Sequence, residues 1–326
     1  MVDRLLVPID GSALAECVLP HVMTFAQTFA AEVTLLHVME PRYESGSIET
    51  IDPLHWQISK GEANAYLARL LAGLQSKGLA AQSKLLEGRA AERILDFALN
   101  DRSDLIALSS HGYSGLSDWS VGSVTQKLLA RARGSKLVVR AHAHAEHTAL
   151  GQITASRYHR IFVPLDGSWR AECVLPLVIK LAQFCDAEIV VAHVIRKPEM
   201  ARRTPLADED MQLATRVEER NRLETTDYFE QLRARVGALA TTHILSGESV
   251  AATLHESAER SAADLVILSA HGFTGEMRWP YGSVAQSFIW GSPIPVFIFD
   301  DSSPCPPMQA QDMTTALRQQ EVPAHA

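Results

Sequence analysis

Arg4–Met39 reads RLLVPIDGSALAECVLPHVMTFAQTFAAEVTLLHVM, and 156 residues later Arg160–Ile195 reads RIFVPLDGSWRAECVLPLVIKLAQFCDAEIVVAHVI. Aligned without a gap, 19 of the 36 positions are identical. Farther along, SSHGYSGLSDWSVGSVTQKLL (Ser109–Leu129) returns as SAHGFTGEMRWPYGSVAQSFI (Ser269–Ile289) at an offset of 160, so the second copy carries a net four extra residues in between. A unit of about 140 residues is a whole domain and not a solenoid repeat. Whatever fold one copy adopts, the other must adopt too.

Within each copy short apolar runs alternate with helical patterns. In the first, strands are expected at Leu5–Ile9, Val33–Met39, Ala80–Leu86, Leu105–Ser109 and Leu137–Arg140. Helices are expected up to Ala30, over Pro53–Lys77 and Ala90–Leu99, and from Ser123 onward. The second copy repeats this and closes with Ile294–Phe299. Strands apolar on both faces, alternating with helices, imply a parallel sheet covered by helices. The expected fold is α/β, with two tandem doubly wound (Rossmann-like) five-stranded parallel-sheet domains at 1–140 and 159–300. Residues 141–158 are expected to be a linker and 301–326 a tail rich in Pro, Ser and Gln. The first helix of each copy contains a proline, Pro20 or Pro176. In a helix interior that costs about 3 kcal/mol. Either the helix kinks there, or Ser12–Ala15 is a turn and the regular helix starts near Glu16; the second is the expectation.

Composition narrows the function. The net charge is −8 and the pI about 5.9, with no basic cluster suited to a phosphate backbone, so nucleic acid is not the expected partner. No apolar run reaches the roughly 18 residues of a membrane span, and the opening MVDRLLVPID lacks the pattern of a signal peptide. A soluble, cytoplasmic protein is expected. The four cysteines are scattered and form no CxxC; Cys17 and Cys173 are equivalent positions and read as small packing residues. His142, His144 and His147 in the linker read as solvated and not as metal ligands.

Three elements of each copy fall where an open α/β sheet binds ligands, beyond the carboxyl ends of its strands. Asp10 and Asp166 end the first strand in VPIDGS and VPLDGS. Each could accept hydrogen bonds from a ribose diol, or build an Asx-type turn with the following serine. The turn after strand four contains Gly112 or Gly272, a residue that permits close approach of another group. Gly122-Ser123 and Gly282-Ser283 then precede a helix, whose free N–H groups suit a phosphate. Ser123 with Gln126, and Ser283 with Gln286, also fit a capping box, which would make each helix simply well capped. The nine residues between the glycines could loop out and bring turn and helix start against one anion. No GxxxxGK[ST] occurs, and GxGxxG is missing after strand one, which disfavours ordinary P-loop and dinucleotide sites.

Taken together, VPIDGS, LLHVM and SSHG-x9-GS resemble the universal stress protein family. The resemblance covers nearly the whole chain twice and so is to the tandem type. It implies that Gly112, Gly122 and Ser123, followed by Val124, hold the phosphates of an adenine nucleotide. Asp10 would meet the ribose, and the Val38 backbone the adenine. In the second copy these are Gly272, Gly282, Ser283, Val284, Asp166 and Val194. Ser109 and Ser269 stand where the family's nucleotide-binding branch has its first glycine. The implied cofactor is ATP, or ADP or AMP, with Mg²⁺ as a counter-ion. An internal pseudo-dimer of the two domains is also implied, with the last strands, KLVVR and PVFIF, meeting across it; these apolar edges need covering in any case. A homodimer of chains and a regulatory protein partner are further expectations.

The leading expectation is a nucleotide-binding regulatory protein of the stress response with little or no catalysis. His111 and His271 lie in the glycine turn but show no orienting carboxylate within the motif. A slow ATP-hydrolysing or nucleotidyl-transfer enzyme, and an interaction protein with vestigial pockets, are the alternatives.

Overall fold

The computed structural model describes residues 2–41, 53–112, 121–141, 153–196, 208–236, 240–273 and 280–302. The linker histidines, Trp119, Trp279 and most of the stretch between the two glycines of each motif lie outside these residues. Contacts divide the chain into two units. One is Met1–Tyr158 with Ser287–Asp300, the other His159–Gln286 with Asp301–Ala326.

The first unit runs β1 (Arg4–Pro8), α1 (Ala13–Glu16), α2 (Leu19–Phe29), β2 (Glu32–Met39), α3 (Pro53–Gln75), β3 (Ala81–Glu87), α4 (Ala90–Asp101), β4 (Leu105–Ser109), α5 (Ser123–Arg131) and β5 (Ser135–Val139). Its parallel strands lie in the order β3-β2-β1-β4-β5, so the direction of winding reverses between β1 and β4. Leu5, Leu6, Val7, Leu35, Leu36 and Leu105–Leu108 are buried, as both faces of a helix-covered sheet require.

The proline conflict resolves by a break. Ser12 caps α1, its side chain accepting from Ala15 N, and after this single turn the regular helix α2 starts at Leu19. Pro20 therefore sits in a first turn, where a missing N–H costs nothing. The expectation of a helix beginning near Glu16 is corrected: Glu16 closes the short turn.

The second unit repeats the pattern: β6 (Arg160–Pro164), α6 (Trp169–Glu172), α7 (Leu175–Cys185), β7 (Glu188–Arg196), α8 (Asp208–Val236), β8 (Ala240–Gly247), α9 (Val250–Arg260), β9 (Leu265–Ser269), α10 (Ser283–Gly291) and β10 (Val296–Phe299). Four parallel strands in the order β9-β6-β7-β8 form the sheet of this unit, with the same reversal between β6 and β9.

Strand β10, although it closes the second repeat, belongs by its contacts to the first unit. It runs antiparallel to β5, pairing Val296 with Val138, Phe297 with Leu137 and Ile298 with Lys136. Phe297 is wholly buried, its ring stacked on Phe25 at 5.3 Å and 6°. Asp300 Oδ2 accepts from Gly134 N at 2.7 Å, and Arg140 donates to Ser292 O at 3.1 Å and to Trp290 O. A bare β5 edge would be a row of unpaired backbone groups; β10 covers it. Each repeat thus supplies the expected five strands, and the last strand of the second runs antiparallel to that of the first. Part of the expected linker is also packed against the first unit. Ile153 and Tyr158 are buried, and Tyr158 Oη lies 2.7 Å from His21 Nδ1.

Candidate nucleotide site

The winding reverses between β1 and β4, the place where open α/β sheets hold their ligands in the crevice beyond the strand ends, and Asp10 follows the end of β1 there. Oδ1 of Asp10 accepts from Ser12 N at 3.0 Å and Ser12 Oγ at 2.6 Å, an Asx-type turn that presents Ser12 as the cap of α1. Its other oxygen explains Gly112: a Cβ there would lie 2.0 Å from Asp10 Oδ2. Asp166 repeats this, with Ser168 N at 3.0 Å, Ser168 Oγ at 2.6 Å and a would-be Gly272 Cβ at 2.1 Å. Oδ2 of Asp166 also accepts from Phe273 N at 2.6 Å, tying the glycine turn to the first loop. The first glycine of each pair therefore makes room for the protein's own carboxylate.

The second glycine has no such internal need. Gly122 takes φ −53, and a Cβ would meet only Ser110 O at 3.6 Å and His111 Cα at 3.8 Å, ordinary contacts; at Gly282 the values are 3.5 and 3.8 Å. The Gly122 amide is already engaged, donating to Ser110 O at 2.7 Å, as is that of Gly282 to Ala270 O at 2.8 Å. The glycine turn and the helix start are thus held together by the protein itself. The capping box is not formed in α5. Gly122 is the cap residue and supplies no side-chain bond, and Ser123 is the first helical residue, exposed. The first-turn amides of α5 therefore find no side-chain acceptor on the cap residue and, by the geometry of a helix start, none within the helix. In the second unit Gln286 N donates to Gly282 O at 2.9 Å and α10 likewise begins at Ser283.

Ser109 and Ser269, in place of the motif's first glycine, are buried and neither adopts a positive φ. Ser109 Oγ lies 2.9 Å from Leu14 O and 2.5 Å from His111 O, turned into the protein. Val124 and Val284 are half-buried in the first turns of their helices.

Val38 lies two residues past the end of the β1 ladder. Ile9 N donates to Leu36 O at 2.9 Å, so the polar groups of Leu36 face β1. Strand alternation turns those of Val38 the same way, beyond Pro8, where β1 has ended. Leu165 N to Ala192 O at 2.9 Å sets the same arrangement for Val194. A strand-edge N–H and C=O thus face the crevice in each unit.

Several polar groups here carried no readable signal, or one left unused. His37 Nδ1 lies 2.9 Å from Ile9 O and His193 Nδ1 2.8 Å from Leu165 O; since a carbonyl only accepts, Nδ1 carries the proton in both. Beneath the first loop the buried Glu16 pairs with Arg69 at 3.3 Å, and Glu172 with Arg235 at 2.6 Å. Burial, then these carboxylates, hold the Tyr66 and Tyr228 phenols well above the usual range. The repeated AEC and HV within the 36-residue alignment marked these glutamates and histidines. Cys17, expected as a packing residue, is half-buried, and desolvation pushes its thiol up to about 11.

The two glycine-turn histidines differ. His111 Nδ1 lies 3.0 Å from Ser110 Oγ. His271 Nδ1 lies 2.9 Å from Asp301 Oδ1, and Arg170 Nε 3.4 Å from Asp301 Oδ2. The carboxylate missing from the motif is thus supplied from beyond the repeat, at a position where the first copy has Ala141. Among the described residues no group of three or more His, Cys, Asp or Glu could hold a metal ion, and no helix is long and apolar enough to cross a membrane.

Comparison with known proteins adds a family. The model of the Universal stress protein family matches residues 1–140 and 157–300. A universal stress protein of Methanocaldococcus jannaschii is 28% identical over 142 residues, covering 42% of this chain and 81% of the relative. YxiE, a universal stress protein of Bacillus subtilis, is 29% identical over 149 residues, 43% of this chain and 100% of the relative. Among solved structures, a universal stress protein from Archaeoglobus fulgidus superimposes with a TM-score of 0.64 at 20% identity, over 93% of this chain and 100% of that one. A functionally unknown protein from Pseudomonas aeruginosa gives 0.62 at 15% identity, over 98% of each. At these identities the structural likenesses bear on the fold.

Proposed function

The chain belongs to the universal stress protein family, and from that premise we propose that each unit binds one adenine nucleotide and that the protein is a nucleotide-responsive regulator. The observation that carries this is the second glycine. Protein packing leaves room for a side chain at Gly122 and Gly282, yet none is present, directly beside a helix start. A bare helix mouth without a side-chain cap favours a phosphate group. The amides of Ser123 and Val124 would donate to phosphate oxygens, as would those of Ser283 and Val284. Across the crevice the polar backbone of Val38, or Val194, offers one donor and one acceptor, the complement of an adenine edge. Ribose hydroxyls would approach the carboxylate of Asp10 or Asp166. ATP is the leading ligand, with ADP and AMP as competitors and Mg²⁺ as a counter-ion to the phosphates.

The test is isothermal titration of the full chain with ATP, ADP and AMP, repeated on Gly122→Val, Gly282→Val and the double variant. The wild type should show two sites, each single variant one and the double variant none. At 100 times its dissociation constant the nucleotide should stabilise the wild type by about 2.7 kcal/mol. No binding to the wild type, or full binding to the double variant, refutes the proposal.

A second reading, slow ATP hydrolysis in the second unit, is favoured by the His271–Asp301 pair, in which a buried carboxylate orients an imidazole as in activated-nucleophile sites. It requires Mg²⁺-dependent phosphate release that falls in Asp301→Ala.

A further inference from the structure

At the opposite pole of the first unit, where α4 and α5 end and β4 and β5 begin, lies a depression of about 640 Å³. Leu95 and Leu99 line it together with the three arginines Arg102, Arg131 and Arg133, and Asp96 contributes a single acid. All three guanidinium-bearing residues are exposed and form no ion pair among the described residues, in a chain with 38 acidic against 30 basic side chains. Leu99 is 62% exposed between them.

Helix carboxyl ends do favour cations, and Arg102 caps α4 while Arg131 closes α5. That effect does not require the cluster, as the repeat demonstrates. The positions equivalent to Arg102, Arg131 and Arg133 are Ala262, Gly291 and Pro293, and Glu259 stands for Leu99. Ala262 keeps the left-handed backbone of Arg102, φ 49 against 54, so that conformation needs no arginine at this position. What the fold does not require, and the equivalent positions of the other repeat lack, is a concave group of three planar forks over an apolar floor. Guanidinium forks match the oxygens of phosphate bidentately, and a cavity of several hundred Å³ suits a small molecule.

We infer that this depression is a binding site for a small phosphoryl-bearing anion, a phosphate ester whose apolar portion lies on Leu95 and Leu99. The site is separate from both nucleotide crevices and does not rest on their occupancy. Binding should weaken steeply with salt, because charge supplies most of it.

The probes are inorganic pyrophosphate and n-butyl phosphate, titrated calorimetrically into the full chain at low salt. The comparison is with Arg102→Ala/Arg131→Ala/Arg133→Ala, which leaves Gly122 and Gly282 untouched. Exposed side chains are changed, so the melting temperature of the free protein should stay within about 2 °C, as for surface substitutions generally. The expected result is the loss of one site per chain, or a weakening of at least about tenfold, for one probe or both. Arg133→Gln alone should lower affinity in the same direction by a smaller factor. A stronger effect for butyl phosphate than for pyrophosphate assigns the ligand to the ester class. Absence of saturable binding of both probes to the wild type overturns the inference, as does affinity retained within twofold by the triple variant.

Discussion

Replacing Gly272 with alanine places a carbon 2.1 Å from Asp166 Oδ2, far inside contact distance. The carboxylate cannot retreat freely. Ser168 N, Ser168 Oγ and Phe273 N all donate to it, at 3.0, 2.6 and 2.6 Å. Hydrogen bonds to charged groups contribute about 1.5–3 kcal/mol each when buried, but Asp166 is exposed and only a fraction of that is at stake. Adding overpacking strain, the cost should be about 2–4 kcal/mol. At about 2–4 °C per kcal/mol that lowers the melting temperature by roughly 4–16 °C. Gly282→Ala, with its nearest contact at 3.5 Å, should change stability by less than about 1 kcal/mol. The assay is urea denaturation of both variants, plus a cycle in which Gly272→Ala is made in an Asp166→Ala background. Removing the carboxylate should relieve most of the clash and give a coupling energy of at least about 1 kcal/mol. An equal cost of Gly272→Ala in both backgrounds would show that the glycine answers to something other than the carboxylate.

Three further outcomes are expected. Lys136 is buried in β5, where desolvation, partly offset by Asp300, depresses its amine from 10.5 to about 8. The unfolded chain then binds more protons between those values, so stability should rise with pH from about 8 to 10.5. Lys136→Met should flatten that slope in pH-dependent urea unfolding. Arg69→Met leaves the buried Glu16 carboxylate without its ion-pair partner. Because Arg69 is itself partly exposed, a loss of about 2–3 kcal/mol is expected in denaturation midpoints, at the low end for broken buried pairs. Phe297→Ala removes the ring stacked on Phe25 and should cost about 3–5 kcal/mol, with hydrogen exchange in β5 accelerating first.

The strands were legible because apolar runs such as Leu105–Ser109 are buried on both faces and bounded by turns; β4 has the bounds its sequence suggested. Helix starts were less so. Ser123 and Gln126 satisfy the letter pattern of a capping box, but Gly122 takes the cap position. Spacing alone cannot say which of two adjacent small residues leaves the helix. The Gly112 pairing was half legible. A glycine signals close approach, and Asp10 was singled out, but their meeting joins residues about 100 apart in the sequence, a contact no local pattern encodes. Asp301 was hidden for a different reason: it lies outside the duplicated segments, opposite an alanine in the other copy, so self-comparison passes over it. The meeting of β10 with β5, by contrast, was anticipated by the family resemblance and by the need of two apolar last strands for cover.

That placement has a consequence for biogenesis. When a ribosome has delivered residue 158, the first unit still lacks an edge, since Val296–Phe299 is not yet made. Until then Phe25 lacks the Phe297 ring that stacks on it, and β5 presents its open side to any strand nearby. The amino-terminal half must therefore wait, incomplete, through synthesis of the whole second repeat, and a premature stop before residue 296 would injure the half already translated.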